Sequence, residues 1–294
     1  MIRIWFLRAL MVVTPRVRVE VLYALADVAG SMAWGGSGRL RGVTRDHMRH
    51  VLGGAASRGA VDAAARGCLR SAARYYVDFA RYAVLQPESA FEQVDEIDGL
   101  EELFAAYDRG QGVILASAHV GNPEFIVQAL APLFDLMVFT ERLEPVALHE
   151  LVHEVRQRSG VRFVPVSASA ARDGMRQLRC GNVLGMLIDR DVVGTGRPFP
   201  FFGERAPMPW GAVELAWMSG AVVVLGFVTR TTAGRYRIAL REVPVPHRKD
   251  GSGDRAADIE AGMQSVVAAL ERGIAEAPGQ WFALSPIWVG SSTP

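Results

Sequence analysis

The chain has 294 residues, 50% of them hydrophobic, enough for one large core or two modest domains. Lys+Arg 32 against Asp+Glu 31 leaves a formal net charge of +1, a balance that argues against a nucleic-acid binder. The two cysteines, Cys68 and Cys180, lie far apart and indicate neither a disulfide framework nor a CxxC metal or redox motif; two buried thiols are expected.

Residues 1–19 carry Arg3, Arg8, Arg16 and Arg18, with no acid before Glu20. Trp5, Phe6, Leu7, Leu10, Met11, Val12 and Val13 lie between them. A bilayer span needs roughly 20 consecutive apolar residues, and Arg8 and Pro15 cut the run short. Arg8 also splits any signal-peptide core, and no clear small-x-small cleavage site follows. The composition fits an interfacial anchor, and it fits equally a core helix with exposed arginines.

Residues 17–86 read as mostly helical. Arg66, Arg70 and Arg74 are spaced by four and form one polar stripe on a helix that also carries Leu69, Ala73, Tyr76 and Phe79. A solvated face is expected there, ahead of a role in binding an anionic donor. Gly35-Gly36-Ser37-Gly38 reads as a loop.

From residue 98 the pattern changes. Apolar runs at 112–117, 136–140, 162–166, 183–188, 222–228 and 236–240 read as strands, and 145–159, 168–179 and 212–219 as helices between them. Such alternation predicts an α/β fold: a mixed, largely parallel central sheet flanked by helices, with a helical N-terminal region. The expected division is a helical segment at 1–97 and a catalytic α/β region at 98–294, within one structural domain. A surface loop at 247–255 precedes a last helix bearing Ile259, Met263, Val266, Val267, Leu270 and Ile274, which Pro278-Gly279 stops.

The chemistry gathers after the first strong strand, in Ala116-Ser117-Ala118-His119-Val120-Gly121-Asn122-Pro123-Glu124. His119 falls at the strand's carboxyl edge, where open α/β sheets bind ligands. Gly121 permits a tight turn, Asn122 suits an N-cap and Pro123 the first helical position. Glu124, in the first turn, can return beside the imidazole, bond one ring nitrogen and stabilise an imidazolium, leaving the other nitrogen to take a proton from a hydroxyl. The alternative is a capped strand and a carboxylate that favours the helix dipole. Backbone amides near Gly121 are candidate oxyanion donors.

A competing motif is His149-Glu150-Leu151-Val152-His153, with two histidines at i and i+4 as a zinc hydrolase requires. Its histidines sit at the margin of the apolar stripe, and no third-ligand signature follows. A nucleophile elbow, a P-loop and a dinucleotide fingerprint are all missing from the sequence. A non-catalytic lipid-binding scaffold is a third reading.

His-x-x-x-x-Glu after an apolar strand resembles the lysophospholipid acyltransferase superfamily. The His-Val-Gly-Asn-Pro-Glu version is similar to its branch of bacterial lipid A late acyltransferases and phosphatidylinositol mannoside acyltransferases. Further blocks keep that branch's order: Glu141-Arg142; Arg156 within Val155-Arg156-Gln157-Arg158; Asp189-Arg190-Asp191; Phe201-Phe202-Gly203-Glu204; and the closing segment from Gln280-Trp281-Phe282 to Ile287-Trp288. The resemblance implies an O-acyltransferase moving a fatty acyl group from acyl-CoA or acyl carrier protein to a hydroxyl of a membrane glycolipid. It implies no metal and no cofactor beyond that co-substrate, and a peripheral place on the cytoplasmic face of the inner membrane. His119 and Glu124 are the implied catalytic pair. Glu141, Arg142, Arg156, Arg158, Asp189, Arg190, Asp191, Phe202, Gly203 and Glu204 are the implied substrate-binding set. Within it, Arg142 and Arg156 are expected on a phosphate or pantetheine-type group. The acids around Asp189 are expected on sugar hydroxyls or on the histidine, or else in a structural turn. Pro198, Phe199, Phe201, Phe202 and Trp210 read as an acyl-chain groove or as core.

Overall fold

In the computed structural model, residues 2–83 and 87–288 are described; Met1, the end of the helical stretch at Gln86 and the last six residues lie outside them. Four helices come first: α1 (Ile2–Val13), α2 (Val19–Gly36), α3 (Gly38–Leu52) and α4 (Arg58–Tyr82). The glycines expected as a loop finish α2 and begin α3, and only Ser37 separates the two helices. Its hydroxyl accepts from Leu40 N at 3.2 Å and caps α3.

The arginine stripe of α4 is not a solvated face, because it holds α2. Arg74 grips Asp27 through both nitrogens (2.7 and 2.5 Å), Arg70 donates to Ser31 Oγ (3.0 Å), and Arg66 lies over the Trp34 ring. The helices approach so closely at Gly30 that a Cβ there would stand 2.7 Å from the backbone of Arg70. Alternating arginine with small residues therefore encodes a helix–helix seam.

The catalytic half follows as β1 (Val94–Asp98), α5 (Leu100–Asp108), β2 (Val113–Ser117), α6 (Pro123–Leu130), β3 (Leu136–Thr140), α7 (Val146–Gln157), β4 (Arg162–Pro165), α8 (Ala168–Arg179), β5 (Val183–Leu187), β6 (Arg197–Phe201), β7 (Glu204–Met208), α9 (Gly211–Ser219), β8 (Val222–Arg230), β9 (Tyr236–Val243) and α10 (Arg255–Glu276). Seven strands form one sheet in the order β1-β9-β8-β2-β5-β3-β4, every pairing parallel except β8 with β9. The fold is the α/β arrangement predicted, with a largely parallel sheet and a helical N-terminal region. The sequence pattern located six of the seven strands. It passed over β1, whose Val-Asp-Glu-Ile-Asp text is an edge, its carboxylates paired with Arg235, Arg237 and Arg241 across β9.

β2 is buried along its whole length. Its alternate residues feed two cores: Ile114 and Ala116 pack with α4 and α10, while Val113 and Leu115 pack with α5 and α6. β6 and β7 make a separate hairpin. Phe202 and Gly203 occupy its two-residue turn with φ of 49° and 82°, the geometry that matches strand twist in tight hairpins. Phe201 is buried between Trp281 and Trp288, so the described contacts of this aromatic cluster are core packing. Cys68 is buried as expected, but Cys180 is exposed, and both thiols are free.

No described helix is long and apolar enough to cross a membrane. α1 packs Ile4 and Leu7 on α7 and leaves Trp5, Phe6, Val12 and Val13 exposed. On α2, Val21, Leu25, Val28 and Met32 form an exposed apolar stripe.

Candidate active site

Parallel pairing in register builds the site. Ser117 ends β2 opposite Leu187 at the end of β5, and Ile188 N donates to Ser117 O at 2.9 Å. Two residues further along each strand, His119 and Asp189 therefore stand side by side at the carboxyl edge. Asp189 Oδ1 is 2.8 Å from His119 Nδ1; its Oδ2 accepts from the His119 backbone N–H at 3.1 Å and from the Trp281 indole at 2.8 Å. Asp189 is fully buried, whereas the His119 side chain keeps 19% of its exposure. Burial alone would raise the Asp189 pKa. The attraction of the His119 ring and the donated hydrogen bonds outweigh it and bring the carboxyl down to about 2. An ionised carboxylate only accepts, so Nδ1 carries the ring proton and Nε2 is left with its lone pair.

The carboxylate on the imidazole is thus Asp189 and not Glu124, which corrects the expected pair. Glu124 is buried in the first turn of α6, where Arg156 of α7 clamps it: Nε lies 3.1 and 3.2 Å from its two oxygens, and a second guanidinium nitrogen donates to Oε1. Tyr75 of α4 donates to the same oxygen at 3.3 Å. Burial and then the Glu124 charge raise the Tyr75 pKa well above its usual value, so the phenol stays a donor. The five-residue spacing does return Glu124 toward the loop, but the buried guanidinium captures it. By the same contact Arg156 spends two nitrogens on Glu124.

The turn between the two motif residues is locked from behind. Gly121 has φ of 56°, and a Cβ there would lie 2.0 Å from Val228 O, so only glycine fits. Gly121 N donates to Gln280 O, Asn122 N to Val228 O and Val120 N to Ala118 O, while Phe282 N donates to His119 O. The amides of residues 119–122 are therefore all engaged, which removes them as the expected oxyanion donors. Asn122 holds the N-cap position of α6 without a side-chain cap bond. Its amide instead reaches Asp78 (3.2 Å), Tyr82 (2.5 Å) and Tyr236 (3.2 Å) in a buried network that also holds Arg230, whose Nε donates to Asp78 at 2.8 Å.

The other expected residues have these places in the fold. Arg190 pairs with Glu141 at 2.5 Å, and Arg142 is exposed beside them. Arg158 donates to the Ala83 carbonyl. Asp191 accepts the amides of Val193, Gly194 and Gly196, the structural-turn alternative. Phe202 N bonds Glu271, Gly203 is exposed in the hairpin turn, and Glu204 meets His50 at 3.0 Å. His149 and His153 lie with ring centroids 6.1 Å apart, and among the described residues no group of three His, Cys, Asp or Glu side chains converges as a metal site requires. Tyr75, Asp78, Arg230 and His47 carried no motif signal, and Trp281 entered only as part of a closing block.

A histidine with one nitrogen on a buried carboxylate, its ring partly exposed at the carboxyl edge of a parallel sheet, is an arrangement able to do general-base chemistry. The chain belongs to the bacterial lipid A biosynthesis acyltransferase family, whose family model matches residues 2–289. It is an acyltransferase. It is also similar to the phosphatidylinositol mannoside acyltransferase of Mycolicibacterium smegmatis, 28% identical over 231 residues, 76% of this chain and 72% of that protein. The same-named enzyme of Mycobacterium tuberculosis is 27% identical over 226 residues, covering 75% and 69%.

Proposed function

We propose that this acyltransferase moves a fatty acyl group from a thioester, acyl-CoA or acyl carrier protein, to a sugar hydroxyl of a glycolipid. A phosphatidylinositol mannoside-type acceptor is preferred over a lipid A-type one, because both compared relatives carry that name. The observation that carries the reading is the His119–Asp189 contact, with Nε2 free on a ring that solvent reaches. Nε2 takes the proton of the acceptor hydroxyl, and the new imidazolium is held by Asp189. The alkoxide adds to the thioester carbonyl; collapse of that adduct breaks the C–S bond and releases a thiolate, whose conjugate acid has a pKa of about 8.5. Phe282 meets the His119 ring edge-on at 5.8 Å and the Tyr75 ring at 5.1 Å, which joins the base to the Glu124–Arg156–Tyr75 cluster.

The reading places the enzyme peripherally on the cytoplasmic face of the inner membrane. Supporting it, the exposed apolar residues of α1 and α2 stand near Arg8, Arg16 and Arg18. Val146, Val166, Leu187, Val192 and Val193 are exposed around the edge that carries His119. The test is transfer of labelled acyl groups from acyl-CoA or acyl carrier protein to vesicles holding one acceptor class at a time. Wild type is expected to label the mannoside vesicles, and His119→Ala to label them on the order of 10³-fold more slowly. Undiminished transfer by the variant removes His119 as base; labelling of lipid A vesicles alone replaces the acceptor.

A further inference from the structure

His47 lies on α3, far in sequence from either motif, yet it is 1% exposed and packs against Trp281, the indole that reaches Asp189. Its ring stacks on the Trp281 indole with centroids 5.1 Å apart and planes at 27°, and meets Trp288 edge-on at 5.5 Å. Its Nε2 is buried and makes no well-formed hydrogen bond, although the ring lies by the Ala283 backbone. A polar atom orphaned in a core carries a cost that calls for an explanation. Trp281 in turn donates its indole N–H to Asp189 Oδ2, the oxygen that His119 Nδ1 does not use.

We propose that His47 is a positioning residue for the acyl-transfer base: its ring is the platform that holds the Trp281 indole on Asp189, and through Asp189 it fixes the tautomer and orientation of His119. The inference rests on His119 acting as the base proposed above. The platform must be uncharged. A cation here would draw on the Asp189 carboxylate that His119 needs, and two histidines would share one counter-charge. Burial keeps the ring neutral, taking its pKa down to about 4, with His50 lowering it further and Asp189 and the Ala283 backbone opposing. Stacking fixes Trp281 in the plane where its N–H meets the carboxylate, while His50, stacked on Trp288 at 3.8 Å, braces the second indole.

The test reads His119 directly, by NMR titration of its labelled imidazole, alongside kcat and KM. His47→Ala is expected to lower the His119 midpoint by about one pH unit, a tenfold weaker hold on the imidazolium. It is also expected to lower kcat about tenfold at nearly constant KM. His47→Phe, which restores an aromatic platform, returns both values toward wild type. Trp281→Phe removes the indole N–H, and adding His47→Ala on that background should move the midpoint no further. An unchanged midpoint in folded His47→Ala overturns the proposal. Should that variant not fold, an unchanged midpoint in Trp281→Phe overturns it from the other end. Absence of acyl transfer with the midpoint shift intact would fault the proposed function and leave the positioning role standing.

Discussion

Asp189 and Asp78 are fully buried carboxylates that meet the 119–122 turn from different elements, and their partners decide what each can do. Asp189 is bound to an imidazole that stays partly exposed, through its Nδ1. Asp78, also fully buried, is bound to Arg230, Asn122 and Tyr23, all of them buried. Burial would lower the Arg230 pKa, but the Asp78 charge raises it, so that guanidinium never yields its proton. On the proposed mechanism one carboxylate tunes a base that faces solvent; the other pins α4, the turn and β8 together. Burial of a charge is common to both; what differs is the partner's chemistry and its access to solvent.

Substitution at Asp189 should separate the two most sharply. Asp189→Asn keeps the shape but reverses the hydrogen bond that sets the tautomer. By analogy with other histidine bases, kcat should fall by roughly 10³–10⁴-fold. Steady-state kinetics checks this, and a loss under tenfold would make Asp189 a structural residue like Asp78. The converse substitution, Asp78→Asn, leaves Arg230 uncompensated in the core and is expected to cost about 3–5 kcal/mol in urea unfolding. Whatever fraction stays folded should keep a His119 titration like that of wild type. A large shift in that titration would mean that the two networks are coupled through Asn122.

This contrast also marks how far the sequence could be read. His119 and its turn were legible because strand, glycine, N-cap residue and proline follow one another locally. Six strands and the α/β class followed from period and alternation. The identity of the histidine's partner was not legible, because it depends on β5 lying beside β2, and strand order is a global property. Once that order is known, His119 and Asp189 are matched by their equal distance past paired residues. Glu124 misled because its spacing is right for the imidazole, while the competing Arg156 arrives from another helix. Asp78, Tyr75 and His47 sit on helices whose sequence pattern reports only packing. The oxyanion expectation failed for a related reason: Gln280 O takes the Gly121 amide and Val228 O the Asn122 amide, both from segments distant in sequence.

Acid should expose the same division along the pH axis. His47 is held below its unfolded value of 6.5, so the folded state refuses a proton that the unfolded chain accepts. Stability is then full above pH 6.5 and falls toward pH 4, by roughly 3 kcal/mol at that group. Asp189 is held below 3.8, so its contribution is present above that value and is lost as pH falls through about 2. Two acid windows are expected in unfolding free energy against pH. His47→Phe should erase the upper one and leave the lower. An unaltered upper window would assign it to another group.

The finest comparison removes one neutral donor from each carboxylate. Trp281→Phe deletes the indole N–H on Asp189, and Tyr23→Phe deletes the phenol that donates to Asp78 at 2.5 Å. Both lost bonds are neutral donors to a buried anion, worth about 2 kcal/mol each. The same chemical loss should register in different observables. At Asp189 it loosens the carboxylate under the base, so kcat should drop about tenfold, with a smaller part of the loss in unfolding free energy. At Asp78 the arginine and asparagine still hold the anion, so the loss should fall on stability and leave kcat within about twofold. If Tyr23→Phe slows the reaction as much as Trp281→Phe does, the Asp78 network does more than hold the turn. The line between a carboxylate that tunes and one that only pins would then have to be redrawn through Asn122, the residue that touches the second network and begins the helix carrying Glu124.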